Sequence, residues 1–106
     1  MPWQLTLHRA ARKELEEQPV DIRAQLDHIV TLIEAFGLNR VPAKYARHLR
    51  GPLWEFRLRG KDGIARALFV TAQGQHIIIV RVFTKKTQKT PRREIDIALQ
   101  RAKESL

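Results

Sequence analysis

Two arginines stand where strand-like residues would otherwise be expected to pack. Arg57 lies in the alternating run Leu53–Arg59. There Trp54, Phe56 and Leu58 face one side, and Glu55, Arg57 and Arg59 the other. Arg66 interrupts the apolar run Ile64-Ala65-Arg66-Ala67-Leu68. Gly60-Lys61-Asp62-Gly63 between them reads as a hairpin turn, and pairing across it sets Arg57 and Arg66 close to opposite. Like charges facing each other destabilise a sheet, and an anion bridging them removes that penalty. Lys85 and Lys86 leave the end of the next strand-like run, so four cations are expected to converge on one sheet edge. The alternative is a set of solvated arginines with separate acidic neighbours such as Glu55 or Asp62.

A cationic site of this kind suits phosphodiester cleavage in RNA. The 2′-hydroxyl attacks the adjacent phosphate, and negative charge gathers on the non-bridging oxygens, where preorganised Arg and Lys stabilise it. A base must take the hydroxyl proton. Glu55 and His48 are candidates, as is a lysine whose pKa neighbouring cations depress. Tyr45 and Trp54 offer rings for base stacking, although the inward parity of Trp54 favours the core. Lys44, Arg47, Arg50, Arg59 and Lys89 would hold the RNA backbone.

Composition narrows the field. The 106 residues allow a single domain, 1–106. With no cysteine, the chain has no disulfide framework, zinc knuckle or thiol nucleophile. Its one serine is Ser105, a poor start for a serine hydrolase. His8, His28, His48 and His76 fall 20, 20 and 28 residues apart with no ligand-like motif, so no metal site and no cofactor are expected. No apolar run is long enough to span a membrane, and the N-terminus lacks a signal-peptide pattern; a cytoplasmic protein is the expectation. The 20 Lys+Arg and 11 Asp+Glu give +9, which divides into −2 over residues 1–36 and +11 over residues 37–106. A basic working surface on a near-neutral scaffold points to nucleic acid or an acidic protein segment.

The elements that must position these residues read as follows. Trp3–His8 is a short strand. A helix spans about 9–17, and Pro19 opens a second that runs to Phe36. Ile22, Leu26, Ile29, Ile33 and Phe36 form its apolar stripe, and Gly37 ends it. Leu38–Gly51 reads as a loop that can hold a turn of helix around Ala43–His48. Strands follow at Leu53–Arg59, Ile64–Ala72 and His76–Thr84, the last buried on both faces. Thr90 is expected to cap a final helix with Pro91 at its first position. The order β-α-α-β-β-β-α gives an α+β fold. An N-terminal strand and helical hairpin pack on an antiparallel sheet, with a C-terminal helix.

Two blocks carry a family resemblance. His48-Leu49-Arg50-Gly51 followed by Leu53-Trp54-Glu55-Phe56-Arg57 resembles the L-x-G…L-W-E-x-R block of RelE-type toxins in their phage-derived HigB-like branch. Val82-Phe83-Thr84-Lys85-Lys86-Thr87-Gln88-Lys89-Thr90-Pro91, with Glu94, Ile95 and Ala98, is similar to that branch's F-x-K-K-T-x-K-T-P…E-I…A signature. The resemblance covers nearly the whole chain and implies a RelE-like fold. It also implies the toxin of a type II toxin–antitoxin pair, an mRNA endoribonuclease acting on the ribosome and inhibited by a helix-turn-helix antitoxin. The family's basic site maps onto Arg57 and Arg66, and its C-terminal basic position onto Lys85 or Lys86. RelE has a lysine at the position of Glu55, whereas the branch carries Glu. Two rivals remain: a ParE-type toxin that poisons DNA gyrase without cleaving RNA, and an inactive phage-derived protein that binds an acidic partner.

Overall fold

Strand β1 (Gln4–Leu7) leads into helices α1 (Arg9–Glu16) and α2 (Val20–Phe36). A short 3-10 turn at Leu38–Arg40 precedes four strands: β2 (Ala46–Arg50), β3 (Leu53–Gly60), β4 (Gly63–Ala72) and β5 (His76–Lys85). Helix α3 (Arg92–Ser105) closes the chain. This is a computed structural model, and it describes residues 2–87 and 89–106. Met1, and Gln88 of the Lys-rich run, lie outside the described residues.

The five strands form one sheet in the order β1-β5-β4-β3-β2. β2 to β5 are an antiparallel meander, while β1 adds to β5 in parallel. One face carries α1 and α2. There Ala11, Ile22, Leu26, Ile29 and Ile33 pack on Phe56, Leu58, Ala67, Phe69, Ile77, Ile79 and Val82. The opposite face carries α3, whose Ile95, Ala98 and Ala102 cover Leu53, Leu68, Val70, Ile78, Val80 and Phe83. β5 supplies both cores, as its continuous apolar run requires.

Several expectations are corrected. The segment expected as a loop contains β2, paired with β3 from Ala46↔Phe56. Its sequence, Ala-Arg-His-Leu-Arg, hides the strand because an edge strand is tolerant of charge and gains protection from it. Pro19 and Pro91 each stand one residue before their helix, as N-caps, not at its first position. Thr90 does not cap α3; its hydroxyl donates to Glu55 Oε1 at 2.9 Å. Phe36, expected on the buried stripe, is 62% exposed, because the chain turns at Gly37 (φ +87°) and Leu38 is buried in its place.

Two contacts fix the sheet relative to the helices. The Asp21 carboxylate of α2 accepts the Lys61 N–H at 2.7 Å and fills the space beside Gly60 where a Cβ would stand. A second tie lies where β1 ends and leaves the later half of β5 without a strand neighbour on that side. Glu14 of α1 accepts the Val82 N–H there, at 3.0 Å. Glu14 also pairs with Arg81 and, at 2.9 Å, with Arg101 of α3. Arg81 in turn donates to Glu94 at 2.6 Å. Two arginines and two carboxylates thus join α1, β5 and α3.

Candidate active site

The hairpin turn Lys61-Asp62 sets the β3–β4 register, and Arg57 pairs directly with Arg66. Phe83 pairs with Arg66 from the other side, and Lys85 pairs with Ile64, so alternation places Lys85 on the same face as both arginines. This is the α3 face of the sheet, at the end that α3 leaves uncovered. Arg66 is buried, 4% exposed. Its Nη1 donates to the Ala65 carbonyl at 3.1 Å, while its Nε–H has no hydrogen-bond partner. Glu55, also buried, approaches Nε only to 3.7 Å and the exposed Arg47 to 3.8 Å. Its Oε1 is engaged by Thr90.

One carboxylate is thus shared among several cations. Burial lowers the pKa of Arg66; Glu55 opposes this, and Arg57, Arg59 and Arg47 reinforce it. The Lys85 ammonium is likewise held below the ordinary lysine value, first by burial and then by Arg66, with Arg57 and Arg47 adding to it. Uncompensated positive charge in a partly desolvated hollow is a strong attraction for an anion.

Three depressions meet at this cluster. A cleft of about 410 Å³ wraps round the edge of β3 beyond the start of β2, where the Arg57 N–H donates to the Tyr45 carbonyl at 2.7 Å. Arg57, Arg59, Arg66, Lys44 and Tyr45 line it. A second, about 290 Å³, lies among Arg66, Lys85, Lys86 and Thr87. The third, about 260 Å³, holds Arg47, Arg50, Glu55, Arg57, Lys85 and Lys89. Arg57, Arg66 and Lys85 each line two of the three. Among the described residues, Glu55 is the only carboxylate lining any of them. No group of three or more His, Asp or Glu side chains among the described residues is placed to hold a metal ion.

A sequence profile of the phage derived protein Gp49-like family matches residues 13–103. The chain belongs to that family. It is also 32% identical, over 92 residues, to the probable endoribonuclease HigB1 of two Mycobacterium tuberculosis strains, CDC 1551 / Oshkosh and ATCC 25618 / H37Rv. Each match covers 87% of this chain and 70% of the relative. A variant of Escherichia coli toxin RelE in the free state superposes with a TM-score of 0.66 at 17% identity, covering 100% of both chains. RelE in an archaeal RelE–RelB complex from Pyrococcus horikoshii OT3 gives 0.53 at 18% identity, covering 79% of this chain and 96% of that one. The fold of this Gp49-like chain is therefore that of RelE.

Of the candidate residues read from the Gp49-like sequence, eleven line the three depressions: Arg57, Arg66, Lys85, Lys86, Glu55, Lys44, Tyr45, Arg47, Arg50, Arg59 and Lys89. His48 and Trp54 are the exceptions. On the edge strand, His48 faces away. It pairs with Trp54, so its side chain takes the face opposite Glu55, and its Nε2 hydrogen-bonds the Gly51 carbonyl at 2.8 Å. The imidazole meets Trp54 edge-on at 5.4 Å. Trp54 stacks on Phe69 at 6.4 Å and packs on the core, as its parity indicated. Sequence reasoning missed Gln25, Ile64, Thr87 and Thr90 at the site. Only Thr87 and Thr90 carried a local signal, their place in the Lys-rich run.

Proposed function

We propose that this protein is the toxin of a type II toxin–antitoxin pair and cleaves mRNA on the ribosome without a metal. The observation that carries the reading is the face-to-face pair Arg57 and Arg66 with Lys85 beside it, over a single shared carboxylate. The name of the mycobacterial relative, probable endoribonuclease HigB1, supports the same reading. The RNA 2′-oxygen bonds to phosphorus, the bond to the 5′-oxygen breaks, and a 2′,3′-cyclic phosphate and a 5′-hydroxyl result. Arg57 and Arg66 stabilise the charge on the non-bridging oxygens. Arg66 is buried, with its Nε 3.7 Å from Glu55, and contributes its charge to the site. Lys85, which releases its proton more readily than an ordinary lysine, moves protons at the reacting oxygens. Glu55 holds Arg66 and Arg47 in place. His48, on the opposite face, takes no part.

The partner that silences it is a cognate helix-turn-helix antitoxin; the RelE–RelB complex supports a protein partner, and the helix-turn-helix class rests on the family resemblance alone. No helix of the described residues is long and apolar enough to cross a membrane, and cytoplasmic action on translating ribosomes fits the reading. Primer extension on cellular mRNA after brief induction tests it. Discrete cuts are expected with the wild type. With Arg57→Ala the cutting rate should fall by about 10²-fold, equivalent to ~3 kcal/mol of transition-state stabilisation. Intact mRNA accompanied by gyrase-dependent DNA damage would overturn the reading in favour of a ParE-type toxin.

A further inference from the structure

How Glu55 is held decides how much positive charge an anion meets among the cations around it. Its Oε1 has two claimants. The Thr90 hydroxyl donates to it at 2.9 Å, whereas Arg66 Nε stands back from the same oxygen at 3.7 Å, beyond hydrogen-bond reach. Oε2 is turned towards Arg47, also too distant at 3.8 Å. Among the described residues, Thr90 therefore makes the one hydrogen bond to this carboxylate. A guanidinium is intrinsically the stronger partner, yet the buried Arg66 Nε–H is left without one. Thr90 prevails because it is fixed. Pro91 follows it and confines its backbone to the extended region, and its branched Cβ restricts the side-chain torsion. On one side the Thr87 hydroxyl folds the Lys-rich run by donating to the Lys89 carbonyl at 2.8 Å. On the other, Pro91 is the N-cap of α3.

We propose that Thr90 is a positioning residue: it holds Glu55 off Arg66, so that the charge of Arg66 is kept for the substrate's phosphate. The inference rests on the endoribonuclease reading of these cations and concerns how their charge is preserved. Without the hydroxyl, a carboxylate only 3% exposed loses its hydrogen bond. Leaving it unsatisfied is costly, and a small turn of the Glu55 side chain brings Oε1 onto Arg66 Nε. That contact satisfies both buried groups. It also spends the charge of Arg66, because a carboxylate at bonding distance cancels most of the field an approaching anion would feel. The plainer role for Thr90, fastening the start of α3 to β3, predicts a loss of stability and no change at Arg66.

Two measurements that need no cleavage separate this inference from the reading it rests on. The first follows the arginine Nε–H signals by nuclear magnetic resonance. Thr90→Val and Thr90→Ala, which lack the hydroxyl, should move the Arg66 Nε–H downfield as it bonds to the carboxylate; Thr90→Ser, which keeps it, should leave the signal in place. An unmoved signal in both hydroxyl-free variants would overturn the proposal, whatever their urea midpoints. The second is binding of a short all-2′-deoxy oligonucleotide, which has phosphates but no attacking hydroxyl. Thr90→Val should weaken it by about tenfold, the low end for one hydrogen bond to a charged group, and Thr90→Ser should restore it. In a Glu55→Gln background, adding Thr90→Val should cost nothing more. A further tenfold loss there would show Thr90 acting by another route and sink the proposal. Cutting of mRNA should fall in step with oligonucleotide binding. If both measurements came out as expected while the wild type cut no RNA, Thr90 would stand as the keeper of an anion site and the ribonuclease would be lost.

Discussion

Arg66 and Arg81 are both arginines set in the central strands, and they are treated in opposite ways. Arg81 meets Glu94 and Glu14, and although burial works against its charge, those two carboxylates raise its pKa above the ordinary value. Arg66 is more deeply buried, keeps one Nε–H without a partner, and faces Arg57 across the ladder. The first arrangement is saturated. The second is left short of negative charge, and short in the middle of a cavity. A sheet holds such a deficit only when the rest of the fold is firm, and Arg81 and its partners supply firmness on the α1 and α3 side.

This contrast can be broken by exchange. Arg66→Met should reduce single-turnover cleavage of ribosome-bound mRNA by about 10²- to 10³-fold. Its urea midpoint should stay near that of wild type, since removing one of two facing cations relieves repulsion as it removes the weak Glu55 pair. Retention of a tenth of the rate would place the site elsewhere. Arg81→Met should do the reverse. It leaves Glu14 and Glu94 without their shared partner, and urea unfolding should show a loss of about 2–4 kcal/mol, somewhat below the figure for a fully buried pair. If Arg66→Met proved the more destabilising of the two, the comparison would fail.

Acid should sharpen it further. Burial alone would raise the Glu14 carboxyl, but its hydrogen bonds from Arg101 and Val82 and the charge of Arg81 hold it below the ordinary 4.5. The stability it contributes is therefore present above 4.5 and lost as pH falls through its folded value. The wild-type advantage over Glu14→Gln should shrink over that acid window in pH-dependent unfolding. The smallest effect belongs to Lys85. Its pKa is lowered, so its ammonium opposes folding at neutral pH, and the opposition fades as pH rises past the folded value towards 10.5. Lys85→Met should therefore be slightly more stable than wild type at pH 7, with the gap closing in alkali.

How much of this was legible in the sequence varied with the distance of the contact. The Arg57–Arg66 pair was readable because a short turn fixes the register of its two strands. Lys85 followed from strand length. β2 was not readable, since Ala46 is its one fully buried residue and its cations mask the alternation. Missing β2 also misplaced His48, whose face depends on strand parity. The parallel β1–β5 pairing and the Glu14 tie join residues some 70 positions apart, with no local pattern to announce them. Arg81 is a lone charge in the apolar sequence of β5, and Gln25 one polar residue among many on α2.

The clasp of Asp21 on Gly60 and Lys61 has a consequence for the chemistry some distance away. Two facing arginines push their strands to slide, and a slip of one residue would turn Arg57 towards the apolar core. The carboxylate at the hairpin tip works like an index pin in a machine tool, holding the two rows of teeth at one setting. A methyl group at Gly60 would stand 2.7 Å from Asp21 Oδ2 and force the pin out. Gly60→Ala, which removes no cation and lies outside the three hollows, is therefore a place where the working edge of this protein can be thrown out of alignment from behind.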